Sequence, residues 1–178
     1  MSRESLSSSL GRRYEGPARV CRLDGFRRAY RAAAVNDGFA VQNYAGGLRF
    51  PERLLYLDID EAPGSHLPGI LFAVTHEDLF RLDRREIGYE RIEVGDRLLD
   101  VETDAPVVAY AALEELRVDH PRQGKDIVPA SYRDLVQAAA ESVGQIFAAD
   151  IERATRSLPP AILADAKPVP WVRSRVSS

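Results

Sequence analysis

Leu82-Asp83-Arg84-Arg85-Glu86-Ile87-Gly88-Tyr89 stands between two runs of different character. Ahead of it, Gly69-Ile70-Leu71-Phe72-Ala73-Val74 is continuously apolar, as a buried strand is. Behind it, Tyr89-Glu90-Arg91-Ile92-Glu93-Val94 alternates, as a half-buried strand does. The eight residues therefore read as the end of a short helix and a glycine turn held between two strands. A carboxylate at Glu86, with the phenol of Tyr89 three residues on, is then aimed into a cavity by a rigid frame. The competing reading is a charged helix end in water, since acidic side chains rarely bury without a partner.

Working outward, Thr75 is placed to cap the helix, and Glu77 and Asp78 fall in its first turn, where the dipole favours anions. Leu79 and Leu82 face the core, and Gly88 stops the helix. Downstream, Gly95-Asp96 turns the chain into strands at residues 98–102 and 107–112. Upstream, residues 54–59 form a strand, and 60–68, with two Pro-Gly pairs, form a turn region. Residues 14–23 and 26–35 flank Asp24-Gly25, a hairpin signal. Arg27, Arg28 and Arg31 read as solvent-face positions on the second of these strands rather than as an anion site. Residues 36–53 read as a loop, and 113–129 as a long polar loop of the kind that is often functional. Ser131 caps a helix over 132–147 with an apolar stripe through Leu135, Val136, Ala139, Val143 and Ile146, and Asp150 restarts it through Arg156.

The two ends are less determined. Residues 2–11 read either as a short helix, capped by Ser2 and ended by Gly11, or as a flexible serine tail. Residues 157–178 are proline-rich, and Trp171 either pins them to the body or leaves them frayed. The division is thus one domain over 1–156 and a tail over 157–178. Six or seven short strands with helices between and after them define an α+β domain with a curved, mainly antiparallel sheet or partial barrel and flanking helices.

A chain of 178 residues with 45% hydrophobic composition can bury one core. A net charge of −3 with mixed signs lacks the basic face that nucleic-acid binding needs. No apolar run is long enough to span a bilayer, no signal-peptide core follows Met1, and the one cysteine allows no internal disulfide. The expectation is a cytoplasmic protein with no nucleic-acid or membrane partner. Cys21 reads as a quietly packed small side chain. His66, His76 and His120 are not metal-spaced, and no phosphate loop, dinucleotide fingerprint or Gly-x-Ser-x-Gly elbow occurs. Neither a metal nor an organic cofactor is expected.

The block Leu82-Asp83-Arg84-Arg85-Glu86-Ile87-Gly88-Tyr89-Glu90-Arg91-Ile92-Glu93-Val94, with Gly69 to Val74 before it, resembles the central segment of the γ-glutamylcyclotransferase-like family. Ala18-Arg19-Val20, Gly25-Phe26-Arg27-Arg28-Ala29-Tyr30 and Tyr132-Arg133-Asp134-Leu135-Val136 are similar to other parts of it, so the likeness spans residues 2–150. The resemblance implies that the α-amine of a small γ-glutamyl amide or peptide attacks its own γ-carbonyl, releasing 5-oxoproline and an amine. It assigns Glu86 the role of general acid/base and leaves Tyr89 to orient the substrate or to pack inward. The role asks that Glu86 be partly buried.

The start of the chain departs from the family. Family members carry a Tyr-Gly-Ser loop that cradles the substrate carboxylate, and this chain has none. Met1-Ser2-Arg3-Glu4-Ser5-Leu6 is similar to the residues just after that loop, so the expected explanation is a start placed too far downstream. Without the loop, weak binding of γ-glutamyl substrates is expected. The alternative is a non-catalytic binding or regulatory module on the same fold.

Overall fold

The computed structural model describes residues 18–42, 47–157 and 163–168. The expected opening helix or serine tail, the start compared with the Tyr-Gly-Ser loop, and Trp171 lie outside them. The frame is a pair of long antiparallel strands, β1 (Arg19–Val35) and β4 (Arg53–Leu71), paired from Arg19↔Leu71 to Val35↔Arg53. Between them come β2 (Phe39–Gln42) and β3 (Leu48–Arg49). Asp24-Gly25 is therefore not a hairpin. It interrupts the register between Asp24 and Phe26 inside one continuous strand, with Gly25 at φ 77°. An extra residue flips the parity of the strand: Cys21 and Leu23 point inward before it, Phe26 and Tyr30 after it. The turn expected over 60–68 is likewise an irregularity within β4, where Pro63, having no N–H, cannot join a ladder.

Helix α1 (His76–Arg85) follows, capped as expected by Thr75, whose hydroxyl accepts from the Asp78 amide. It buries no residue completely, so Leu79 and Leu82 are only half-covered. Next come β5 (Tyr89–Glu93), β6 (Leu98–Leu99), β7 (Val108–Ala112) and β8 (Asp126–Pro129). The polar stretch read as a loop thus contains a strand whose four residues are all buried. Helices α2 (Ala130–Val143) and α3 (Gln145–Ala154) meet at Gly144, at φ 152°, rather than running together to 147. Ser131 lies inside α2, whose N-cap position is Pro129. Two short strands, β9 (Leu163–Ala164) and β10 (Ala166–Pro168), lie within the stretch read as a tail.

A five-stranded sheet runs β6-β1-β4-β8-β9, a three-stranded sheet β10-β2-β3, and β5 pairs with β7. The pairs β4–β8 and β8–β9 are parallel, so the large sheet is mixed, and the described residues form no closed barrel. Among the described residues this is an α+β fold of one five-stranded sheet, two smaller sheets and three helices. Phe26, Leu67, Val94 and Val107 form one core cluster, and Tyr30, Leu55, Val118 and Val128 another. Leu57 and Tyr132 pack against the second.

Candidate active site

Glu86 occupies the C-cap position of α1. Its amide donates to the Leu82 carbonyl at 2.8 Å, and its carbonyl accepts from the Tyr89 amide at 3.0 Å. Gly88, at φ 90°, makes the turn that this second bond closes. The Gly88 carbonyl in turn accepts from Leu113 at 2.9 Å, joining the turn to the end of β7. The Glu86 backbone is thus tied on both sides, and its side chain is 26% exposed. It reaches neither the deep interior nor open water. The Arg85 guanidinium lies 3.5 Å away, near enough for a weak, solvent-screened attraction.

Tyr89 points the other way, into the body. Its hydroxyl donates to the Leu57 carbonyl at 2.8 Å, and burial pushes its phenol far above the ordinary range. It is a hydrogen-bonding group at neutral pH, not an acid. Tyr110 donates to Asp83 at 2.8 Å, and Arg91 holds the same carboxylate at 3.1 Å. Burial, followed by that hydrogen bond, raises the Tyr110 phenol as well. The charge of Glu86 adds a smaller upward push to both phenols. Tyr56 and Tyr132 act on Tyr89 too, and their rings meet edge-on with centroids 5.0 Å apart.

Behind Tyr89 lies a charge cluster that sequence reading missed. Asp58 is buried and accepts from the Ala112 amide at 2.7 Å. Its other oxygen lies 3.3 Å from Arg117 Nε and 3.5 Å from Arg31 Nε without hydrogen-bond geometry to either. Burial pushes its carboxyl up, opposed by the Ala112 amide and the two guanidinium groups. Arg31, only 12% exposed, also binds Asp60 and Asp119. Arg27 binds Asp60 as well. The reading of Arg27 and Arg31 as solvent-face positions is corrected: both side chains are taken up by carboxylates on β4. Two acidic residues two apart on β4, Asp58 and Asp60, were the available signal.

A separate groove of 1190 Å³ opens between the start of β1, β4 near His66 and the α2–α3 junction. Cys21, His66, Asp100, Val143, Ile146 and Phe147 are among its lining, and Glu86 and Tyr89 are not. Cys21 is buried there, and desolvation followed by the charge of Asp100 raises its thiol, which suits the quiet packing role. His66 pairs with Asp24 at 3.1 Å. Among the described residues, no three His, Cys, Asp or Glu side chains are grouped to hold a metal ion, and no helix is long and apolar enough to cross a membrane. No family model matches the chain, and no curated protein or solved structure matches it.

Proposed function

We propose that the chain is a γ-glutamylcyclotransferase-like enzyme that releases 5-oxoproline and an amine from a small γ-glutamyl amide or peptide, with Glu86 as its general acid/base. The observation that carries the reading is the support of Glu86: a residue whose backbone is fixed through its own amide and carbonyl at a helix-to-strand turn, with its carboxylate partly enclosed. In the reaction, Glu86 takes a proton from the substrate ammonium. The freed amine attacks the γ-carbonyl carbon, a new C–N bond forms, and the original γ-amide C–N bond breaks. The proton held by Glu86 passes to the leaving nitrogen, and Glu86 then takes the second proton that the ring nitrogen sheds as it becomes an amide and gives it up to the departing amine, which leaves as an ammonium. Nothing is oxidised or reduced. Closure of a five-membered ring within one molecule places amine and carbonyl together once the substrate is bent. A positioned base of this kind contributes about 10²- to 10⁴-fold.

The test is 5-oxoproline release by the full chain from a panel of γ-glutamyl amides and dipeptides. Activity that falls about 10²-fold or more in Glu86→Gln, with folding intact, supports the reading. Equal turnover by Glu86→Gln removes Glu86 from the chemistry. The second reading, a binding module without chemistry, draws on the groove at the α2–α3 junction, which no residue of the Glu86 turn lines. It is favoured if no member of the panel is turned over.

A further inference from the structure

Residues 113–118 cross from the end of β7 to β1, and main-chain bonds tie both ends. The Leu113 amide donates to the Gly88 carbonyl at 2.9 Å, and the Val118 amide donates to the Arg31 carbonyl at 2.9 Å. Between them lies one 3-10 turn over Glu114–Leu116, closed by bonds from the Leu116 amide to Leu113 and from the Arg117 amide to Glu114. Val118 is buried with Tyr30 and Leu55, whereas Glu114 and Glu115 are exposed. The segment is thus a strap. Its far end is anchored in the core, and its near end rests on the turn that follows Glu86.

Two side chains of the strap bear on that turn. Leu116 sits directly on Gly88: a Cβ added there would lie 2.7 Å from Leu116 Cδ1, so only a glycine leaves room for it. Arg117 ties the strap to both long strands. Its main chain bridges to Ala32 of β1, and its Nε lies 3.3 Å from the buried carboxylate of Asp58 on β4. Its Nη1 donates to Glu114 Oε2 at 2.8 Å, within the strap itself. Nε and Asp58 Oδ2 are both buried, and neither completes a hydrogen bond. Their attraction is therefore one of charge, which acts more strongly there than in water. The other oxygen of Asp58 holds the amide of Ala112, the residue just before Leu113. Asp58 thus grips the strap on each side, once through a main-chain amide and once through Arg117.

We propose that Arg117 is a positioning residue for Glu86: its pairing with Asp58 holds Leu113 and Leu116 against Gly88, and so fixes the direction of the Glu86 carboxylate. Arg117 acts through the turn and not on the substrate. The catalytic consequence rests on the reading of Glu86 as acid/base in γ-glutamyl cyclisation, whereas the mechanical one does not.

The experiment uses the full chain and reads both consequences. Arg117→Met keeps the aliphatic stem and removes the charge. Amide hydrogen exchange resolved by residue should show Leu113 exchanging about 10- to 100-fold faster, the worth of one buried partner lost, with Ala148 of α3 changed far less. In 5-oxoproline release from γ-glutamyl dipeptides, kcat should fall about 10- to 100-fold with KM held within about twofold, because the base and not the substrate is misplaced. Arg117→Lys, which keeps the charge without the fork, should recover part of both losses. Leu116→Ala removes the contact with Gly88 and leaves the Asp58 pair intact. It should likewise free the Leu113 amide and lower kcat, and it decides the matter if Arg117→Met does not fold. Unchanged exchange at Leu113, equal acceleration at Leu113 and Ala148, a rise in KM in place of the fall in kcat, or no recovery in Arg117→Lys would each overturn the proposal. Selective freeing of Leu113 in a protein whose parent releases no 5-oxoproline would keep the strap and its latch and reject the reaction.

Discussion

The hydroxyl of Tyr89 donates to the main-chain carbonyl of Leu57 at 2.8 Å, tying the strand that comes after Glu86 to the centre of β4. Leu57 pairs with Tyr30 in β1 and is followed directly by Asp58, whose carboxylate holds the Ala112 amide. Ala112 is the residue opposite Tyr89 in the β5–β7 pair. Tyr89 and its strand partner are therefore fixed to adjacent positions of β4, one by a side-chain hydroxyl and the other by a buried carboxylate. The orientation of the Glu86 turn depends on both.

Tyr89→Phe keeps the ring and removes that hydrogen bond. The expected loss of stability is about 0.5–1.5 kcal/mol, measured by urea unfolding. Turnover of a γ-glutamyl substrate should survive with at most a modest decrease. A complete loss of turnover in a folded Tyr89→Phe protein would instead place the hydroxyl on the reacting atoms.

Gly88→Ala meets two obstacles. The backbone is at φ 90°, and an added Cβ would lie 2.7 Å from Leu116 Cδ1. Gly64, at φ 80°, would meet nothing within 4 Å. Both substitutions carry the left-handed cost of about 1–2 kcal/mol, and only Gly88→Ala adds a clash. Comparing the two by thermal unfolding isolates the clash. Gly88→Ala should also depress 5-oxoproline release by displacing Glu86, whereas Gly64→Ala should not.

Asp126 governs an acid-side prediction. Its burial alone would raise the carboxyl, but hydrogen bonds from Arg53 and the Arg122 amide outweigh burial and hold it below the ordinary carboxylate range. A carboxyl lowered in the folded state contributes stability above its unfolded value, and that stability disappears as pH falls through the folded value. Asp126→Asn should cost about 3 kcal/mol at neutral pH, because the guanidinium of Arg53 is left without its bidentate partner. The gap between parent and variant should close as urea titrations are repeated at lower pH. A gap independent of pH would contradict the assignment.

Asn36 closes the turn between β1 and β2 with its side chain. It donates to the carbonyls of Phe39 and Pro51, each at 2.8 Å, and accepts from the Phe39 amide at 2.9 Å. Asn36→Ala should destabilise the protein by about 1–3 kcal/mol with little effect on the Glu86 region. A drop in activity larger than the drop in stability would show that the turn and the site are coupled.

The parts legible in the sequence are those with a local cause. The Thr75 cap, the short helix after it, the turn at Gly88 and the alternating strand from Tyr89 were all readable, because each is decided by neighbours within a few residues. The Asp24-Gly25 dipeptide was misread because a hairpin and a bulge use the same residues, and only the long-range pairing of β1 with β4 distinguishes them. β8 was hidden because Asp126 looks like a surface residue until Arg53, 73 positions earlier, is seen to hold it. At the candidate site, Glu86 and Tyr89 could be named in advance. Asp58, Arg31 and Arg117 could not, since their significance lies in the partners they meet across the sheet.

Residues 163–168 complete two sheets at once, β9 pairing with β8 in the large one and β10 with β2 in the small one. They leave the ribosome after every strand they pair with. The long β1–β4 ribbon can form early in synthesis, but β8 and β2 each keep an open edge until this segment emerges. A nascent chain stalled before it carries two edges open to pairing with a neighbour.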